Sequence, residues 1–105
     1  MRFTPPVQTI YALKTAIDEL RAEGLNMRFE RYKANNTLLR EGLKSLGFEI
    51  FPKRSFGVII TAIALPNNMS FESLHTHCKN HGYTIYPGKI DGLNMFRIAN
   101  IGAIT

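Results

Sequence analysis

The sequence is poor in cysteine, has no tryptophan and contains no long hydrophobic run. A single cysteine, Cys78, among 105 residues excludes an internal disulfide, so the chain does not require an oxidising compartment. No stretch approaches the roughly 18 consecutive apolar residues of a transmembrane helix. The amino terminus lacks the basic segment and apolar run of a signal peptide. We therefore expect a soluble domain in the cytoplasm.

The motifs of several common catalytic sites are also missing. There is no glycine-rich phosphate loop, no paired-cysteine motif and no Gly-x-Ser-x-Gly elbow. His77 and His81 are one helical turn apart and could share a metal, with His75 and Cys78 nearby. No third ligand is evident on that face, because Cys78 is expected to point inward with Leu74. We favour a polar helix surface, and we predict neither a metal site nor a complete catalytic constellation.

What the chain does have is a surplus of basic residues. Thirteen lysines and arginines against eight acidic residues give a formal charge of +5. This surplus favours anionic partners such as phosphates, carboxylates or nucleic acid. An apolar share of 45% in 105 residues is enough to bury one core. The composition therefore predicts one folding unit with a preference for anions.

Two helices are predicted in the first half of the chain. Thr4 before two prolines is typical of an N-cap, and apolar residues then recur at helical spacing until Gly24. This pattern predicts a helix from about residue 5 to about residue 23. Asn26 is predicted to cap a second helix that ends at Gly47. Its inner stripe is predicted to comprise Tyr32, Leu39, Leu43 and Leu46. Its charged residues are expected to stay in solvent, namely Arg28, Glu30, Arg40, Glu41 and Lys44.

The second half of the chain predicts four strands around a third helix. Residues 48–51 and 57–65 are rich in β-branched and aromatic side chains and predict a hairpin. Ser70 is predicted to cap a helix of about 12 residues, whose inner face carries Phe71, Leu74 and Cys78.

The last two predicted strands cover residues 83–86 and 95–98. Pro87 and Gly88 suit the central positions of a type II turn after the first of them. Helices on one face of a mostly antiparallel, four-stranded sheet make a two-layer α+β fold.

Two side chains are candidates for binding an anion. The Thr4 hydroxyl, the positive end of the helix and Arg2 could together hold a phosphate, although two prolines remove N–H donors there. A plain N-cap is the alternative. Arg97 lies between Phe96 and Ile98, where its planar guanidinium suits a carboxylate. The alternative is a solvent-facing residue of an alternating strand.

Four segments resemble, in the right order, parts of the 2-aminoethylphosphonate:pyruvate transaminases. They are residues 2–13 (RFTPPVQTIYAL), Arg31-Tyr32 with Asn35 and Leu39, residues 82–89 (GYTIYPGK) and residues 96–102 (FRIANIG). The resemblance spans nearly the whole chain. Ala99 stands where the family pattern leads us to expect glycine, which adds a methyl group and removes backbone freedom.

The resemblance implies a fold and a function. The family comprises class V aminotransferases of pyridoxal-phosphate fold type I, which work as homodimers with each active site at the subunit interface. They move an amino group from 2-aminoethylphosphonate to pyruvate and give phosphonoacetaldehyde and L-alanine. The resemblance implies that residues 1–105 are the C-terminal small domain. It also implies that Arg97 binds the carboxylate of pyruvate or L-alanine, and that Thr4 reaches across the dimer to the cofactor phosphate.

The resemblance further implies that this domain does not carry the catalytic lysine. In the family, the Schiff-base lysine lies in the large cofactor domain, and none of the lysines seen here has its context: Lys14, Lys33, Lys44, Lys53, Lys79 and Lys89. We therefore expect no bound pyridoxal phosphate and no transaminase activity from this chain alone. We expect neither nucleic acid nor a membrane among its partners.

Two other classes of function remain open from the residues. One is a free-standing basic α+β module that binds RNA or a small anionic ligand. The other is a truncated paralogue that only dimerises, which would expose apolar area.

Overall fold

The computed structural model describes residues 3–54, 57–88 and 92–104. It contains two compact units, Met1–Arg31 and Tyr32–Thr105. The elements follow in the predicted order of two helices, two strands, a helix and two strands. They are α1 (Val7–Glu23), α2 (Leu25–Ser45), β1 (Ile50–Phe51), β2 (Ile60–Ala64), α3 (Phe71–Asn80), β3 (Tyr86–Pro87) and β4 (Met95–Ala99). None of the helices in the described ranges is long and apolar enough to cross a membrane.

Helix α1 begins two residues later than predicted. Its N-cap is Pro6, which makes no side-chain cap hydrogen bond, and the Pro6 carbonyl accepts from the Ile10 amide at 3.0 Å. The prediction that Thr4 caps this helix is therefore wrong. Proline at the N-cap explains the shift, because the carbonyl of this residue can already accept the first helical bond although its nitrogen has no hydrogen.

A single glycine separates α1 from α2. The Gly24 amide donates to the Leu20 carbonyl at 2.8 Å, and the Gly24 carbonyl accepts from the Arg28 amide at 3.0 Å. Gly24 thus ends one helix and starts the next. Its φ of +88° lies in the region that favours glycine. Asn26 lies inside the first turn of α2, so the prediction that it caps this helix is wrong.

One carboxylate joins the end of α1 to the start of α2. The Nε atoms of Arg28 and Arg31 each donate to Glu23 at 2.6 Å. The Arg31 Nη2 atom also donates to Glu23, at 3.1 Å. These hydrogen bonds, first from Arg31 and then from Arg28, lower the pKa of Glu23 to about 2. The charged group therefore stabilises the turn inside the first unit.

The second unit is built on a fully antiparallel sheet with strand order β1-β2-β4-β3. Ile63 pairs with Ile50 on one side and with Phe96 on the other, and these three side chains are buried. Ala62 pairs with Arg97, which faces away from them because side chains alternate along a strand. Helices α2 and α3 contribute Leu43, Leu74 and Cys78 to the same core, among others. The sheet therefore has one covered face and one open face.

The inner side of α2 differs from the prediction. Asn36 and Arg40 are 1% and 6% exposed, whereas Leu46 is 75% exposed and lies beyond the helix end. The buried stripe runs through Asn36, Arg40 and Leu43, at spacings of four and three residues. The Arg40 Nη2 atom donates to the Pro52 carbonyl at 2.9 Å, and burial lowers the pKa of Arg40. The prediction that Arg40 stays in solvent is wrong.

The strands are shorter than predicted, whereas the third helix agrees well. β1 has two residues, and β2 begins at Ile60 instead of residue 57, but the two strands pair as the predicted hairpin. The Ser70 hydroxyl accepts from the Ser73 amide at 3.2 Å, so this predicted cap is confirmed. Pro87 lies in β3 instead of a turn, and the Gly88 amide donates to the Met95 carbonyl at 2.8 Å. The type II turn predicted there is wrong.

Candidate functional site

Arg97 lies in the middle of β4 on the open face of the sheet. Its neighbours in the sequence face the core, with Phe96 4% exposed and Ile98 partly buried. Across the sheet, Arg97 pairs with Ala62 on one side and with Tyr86 on the other. The alternation considered from the sequence is therefore present, and it sets the guanidinium at the centre of an exposed sheet surface.

A shallow depression surrounds this arginine. It has a volume of about 150 Å³ and is lined by Ile60, Tyr86, Arg97 and Ala99. A depression of this size suits a ligand of a few heavy atoms. Ile60 and Tyr86 are 45% and 61% exposed, so they offer apolar contact area beside the charge. A small carboxylic acid with a short apolar part matches this combination of one cation and apolar walls.

A hydrogen bond holds one edge of the Arg97 guanidinium. Its Nε atom donates to the Pro87 carbonyl at 3.0 Å. Within residues 3–54, 57–88 and 92–104, Arg97 has no carboxylate in ion-pair distance, and its two Nη atoms make no hydrogen bond. An exposed arginine on a sheet face that has no carboxylate partner among the described residues is able to bind an external anion.

Buried amides anchor the end of β4. The Asn100 Nδ2 atom donates to the carbonyls of Tyr32 and Val58 at 3.1 and 2.9 Å. Its Oδ1 atom accepts from Asn36 Nδ2 at 3.1 Å, and the same Asn36 nitrogen donates to the Thr61 hydroxyl at 3.0 Å. A satisfied polar network inside a low-dielectric core restrains the groups that it joins. It therefore ties the strand that carries Arg97 to α2 and β2.

Two further contacts hold the chain that follows β4 against α2. The Gly102 amide donates to the Tyr32 hydroxyl at 3.1 Å, and Asn35 Nδ2 donates to the Ile104 carbonyl at 3.0 Å. Tyr32, from one segment of the sequence resemblance, thus lies against Gly102 at the end of another segment. Sequence reasoning missed Asn36 and Asn100 as structural residues. The available signal was that Asn36 lies four residues from Arg40 and seven from Leu43, on one helix face.

Thr4 belongs to the first unit, and its side chain is exposed. Its hydroxyl makes no hydrogen bond within the part of the chain that the structure describes. Pro5 and Pro6 supply no N–H donors, and Arg2 lies outside the described residues. Thr4 therefore fits a single hydrogen bond to a phosphate oxygen, whereas it does not by itself form a complete phosphate site.

The histidines form a surface feature of α3. The rings of His77 and His81 have centroids 4.5 Å apart, and His81 Nδ1 lies 2.9 Å from the His77 carbonyl oxygen. Cys78 packs against the core with Leu74, as predicted. Among the described residues, no three histidine, cysteine or acidic side chains come together as a set of metal ligands.

The comparisons with known proteins point to the family that the sequence resembles. No protein-family model matches the chain. The 2-aminoethylphosphonate–pyruvate transaminases of Lactiplantibacillus plantarum and Lysinibacillus sphaericus are 40% and 42% identical to it over 98% of its length. The chain spans only 29% of the length of each of these relatives.

A solved structure agrees with these relatives. The crystal structure of ureidoglycine-glyoxylate aminotransferase from Bacillus subtilis matches with a TM-score of 0.86 and 25% identity. The match covers 96% of this chain and 27% of that chain. The predicted α+β fold is thus confirmed as that of an aminotransferase small domain. In sequence and in fold, the chain is similar to one part of the aminotransferases, and the two relatives named above are 2-aminoethylphosphonate–pyruvate transaminases.

Proposed function

We propose that this chain is the small domain of a pyridoxal-phosphate-dependent transaminase that moves the amino group of 2-aminoethylphosphonate to pyruvate. The products would be phosphonoacetaldehyde and L-alanine, and the enzyme would be a cytoplasmic homodimer. Identity of about 40% to transaminases with this name supports the proposal. The single observation on which it rests in the structure is the exposed guanidinium of Arg97 in its small depression.

Arg97 has the task of binding the carboxylate of pyruvate or L-alanine. A guanidinium and a carboxylate are both planar, and two parallel N–H···O bonds fix the orientation of the acid as well as its position. Ile60 and Tyr86 line the same depression and would exclude water from one side of the bound acid. The Ala99 methyl group also lines it and narrows the space next to the guanidinium.

The cofactor would be held largely outside this chain. When bound, pyridoxal phosphate supplies the electron sink that makes transfer of an amino group possible. Thr4 would contribute one hydrogen bond from its hydroxyl to the phosphate in the partner subunit. The lysine that bonds to the cofactor would belong to a large domain of about the remaining length of the relatives. We accordingly propose that these 105 residues alone are inactive.

A chimeric enzyme tests the proposal directly. The segment of the Lactiplantibacillus plantarum transaminase that matches this chain would be replaced by the chain itself. We expect the chimera to bind pyridoxal phosphate and to convert 2-aminoethylphosphonate and pyruvate. Arg97→Ala in the chimera should raise KM for pyruvate at least tenfold, because a charge-assisted bidentate pair is lost. Cofactor absorbance should stay unchanged.

A control substitution of a second arginine distinguishes the loss of the Arg97 contact from a general loss of positive charge. Arg21→Ala removes an exposed arginine from α1 and should leave KM for pyruvate within twofold of the starting chimera. An unchanged KM for pyruvate in the Arg97→Ala chimera would contradict the assignment of Arg97 as the carboxylate-binding residue. A chimera that binds cofactor and is active only with other amino donors would contradict the proposed substrate.

The alternative function, an RNA-binding module, has one observation in its favour. The open sheet face displays Tyr86 beside Arg97, and single-stranded RNA is often bound by aromatic and basic side chains on a sheet. Titration of the chain with a labelled single-stranded RNA at two salt concentrations distinguishes the two functions. Binding that weakens steeply with salt and is lost in Tyr86→Ala would favour the RNA module.

A further inference from the structure

The contact between Arg97 and Pro87 selects which edge of the guanidinium can receive a ligand. A guanidinium offers two edges with paired N–H groups, one formed by Nε with the nearer Nη atom and one formed by the two Nη atoms. The Pro87 carbonyl accepts from Nε at 3.0 Å and so occupies the first edge. No described residue occupies the end edge formed by the two Nη atoms, so this edge is the one available to a carboxylate.

The position of this carbonyl depends on a close approach of two strands. Pro87 pairs with Phe96, and the adjacent Gly88 amide donates to the Met95 carbonyl at 2.8 Å. A Cβ atom built on Gly88 would lie 2.7 Å from Met95 Cβ and 3.3 Å from the Met95 carbonyl carbon. Met95 is only 3% exposed, so neighbouring atoms restrict any movement away from an added methyl group. Only glycine at position 88 lets the strands meet at this distance.

We infer that Gly88 is a positioning residue for Arg97. It lets the Pro87 carbonyl lie against Nε, which turns the end edge of the guanidinium toward the ligand. This inference rests on the proposed function, since it concerns the same arginine. It adds a geometric claim, that the carboxylate binds end-on through both Nη atoms of Arg97. A side chain at position 88 would disrupt this end-on binding without touching the ligand.

The first test observes the Arg97 Nε–H group in the whole chain by ¹H–¹⁵N NMR. Arg21 is exposed and serves as the internal reference for an arginine in solvent. We expect the Arg97 Nε–H signal to exchange with water at least tenfold more slowly than that of Arg21, because it is hydrogen-bonded. Exchange as fast as that of Arg21 would overturn the inference without any variant.

Three variants then separate positioning from folding. Gly88→Ala should retain a dispersed spectrum but give Arg97 the fast exchange of an exposed arginine. Gly42→Ala is the matched control, because a Cβ there meets nothing within 4 Å, and it should leave the Arg97 signal unchanged. Pro87→Ala keeps the accepting carbonyl and should also keep the slow exchange. If Gly88→Ala retained slow exchange, the inference would be wrong.

The chimeric enzyme connects this geometry to function. Gly88→Ala should raise KM for pyruvate about tenfold, the loss expected when a charged hydrogen-bonding group is misplaced, while Gly42→Ala should not. If Arg97→Ala leaves KM unchanged, the proposed function itself fails. If Arg97→Ala raises KM and Gly88→Ala behaves like Gly42→Ala, only the positioning role fails.

Discussion

Buried polar side chains decide how the second unit is held together at the scale of single residues. Asn36 and Thr61 are 1% and 0% exposed, and both belong to the hydrogen-bonded group that reaches Asn100. Burying an amide costs free energy unless its donors and acceptors are satisfied. The network therefore favours a single arrangement of α2 on the sheet, which an apolar contact of similar size would define less sharply.

Asn36→Leu should destabilise the chain by about 2–3 kcal/mol, because Thr61 and Asn100 both lose a buried donor. The free energy of unfolding from urea titration measures the effect. Asn80→Leu is the control, since Asn80 is exposed at the end of α3, and should change the free energy by less than about 0.5 kcal/mol. Equal effects of the two substitutions would contradict the role of the network.

Because of Glu23, the free energy of unfolding should depend on pH under acidic conditions. Its pKa is lowered to about 2 in the folded chain by Arg31 and Arg28, below its ordinary value of 4.5. A carboxylate with a lowered pKa stabilises the folded state above its unfolded pKa, and this contribution is lost as pH falls through the folded pKa. Glu23→Gln should therefore be less stable than the unmodified chain at neutral pH. The difference should shrink as pH falls from about 4.5 toward 2.

Comparison of urea unfolding at pH 7, 4 and 2.5 tests the Glu23 prediction. Glu19→Gln supplies the control, because Glu19 lies on the same helix and takes part in none of the ion pairs of the described residues. A difference between Glu23→Gln and the unmodified chain that stayed constant over this range would show that the ion pairs do not stabilise the fold.

At the scale of elements, local signals predicted the C-terminal ends of the helices better than the ends of the strands, although two of the three predicted N-caps, Thr4 and Asn26, are wrong. The sequence predicted that helices end at Gly24 and Gly47, and both glycines adopt positive φ there. Ser70 begins α3 through its hydroxyl. Each of these signals acts over a single turn, so neighbours in the sequence are sufficient to produce it. Strand ends depend on pairing with distant residues, which explains the shorter β1 and the shifted β3.

Ser70→Ala should destabilise the chain by about 1 kcal/mol, because the Ser73 amide loses its accepting oxygen. Thermal unfolding followed by circular dichroism detects this loss as a lower Tm. Ser73→Ala is a matched control, since it keeps the backbone donor and removes only an exposed hydroxyl. A Tm that fell equally in both variants would show that the cap is not the source of the stability.

At the scale of the whole molecule, helix α1 leaves several apolar side chains exposed. Along α1, Val7, Ile10, Tyr11 and Leu13 are between 46% and 68% exposed. Contiguous apolar surface of this kind usually marks an interaction surface. The relatives are more than three times as long as this chain, since it spans 29% of each.

The proposal that this chain has no cofactor lysine is testable on the chain alone. We expect pyridoxal phosphate, followed by borohydride reduction and mass mapping, to label several lysines weakly and none to saturation. Every lysine that the structure describes is at least partly accessible, so weak labelling at many positions is the expected background. A single saturable adduct would show that the chain carries its own cofactor lysine. It would contradict the proposal that this lysine belongs to a separate large domain.

The sequence by itself determined the order of the elements, the α+β class, the Ser70 cap and the choice of Arg97 as a candidate carboxylate-binding residue. These depend on local hydrogen bonding, on periodicity and on the chemistry of one side chain. Only the tertiary structure decided that Arg40 is buried and that the Pro87 carbonyl holds Arg97 by Nε. The first depends on which helix face the sheet covers, and the second on the register between β3 and β4. Both result from contacts between residues far apart in the sequence. The spacing of hydrophobic residues along one segment does not show which distant segment it will contact.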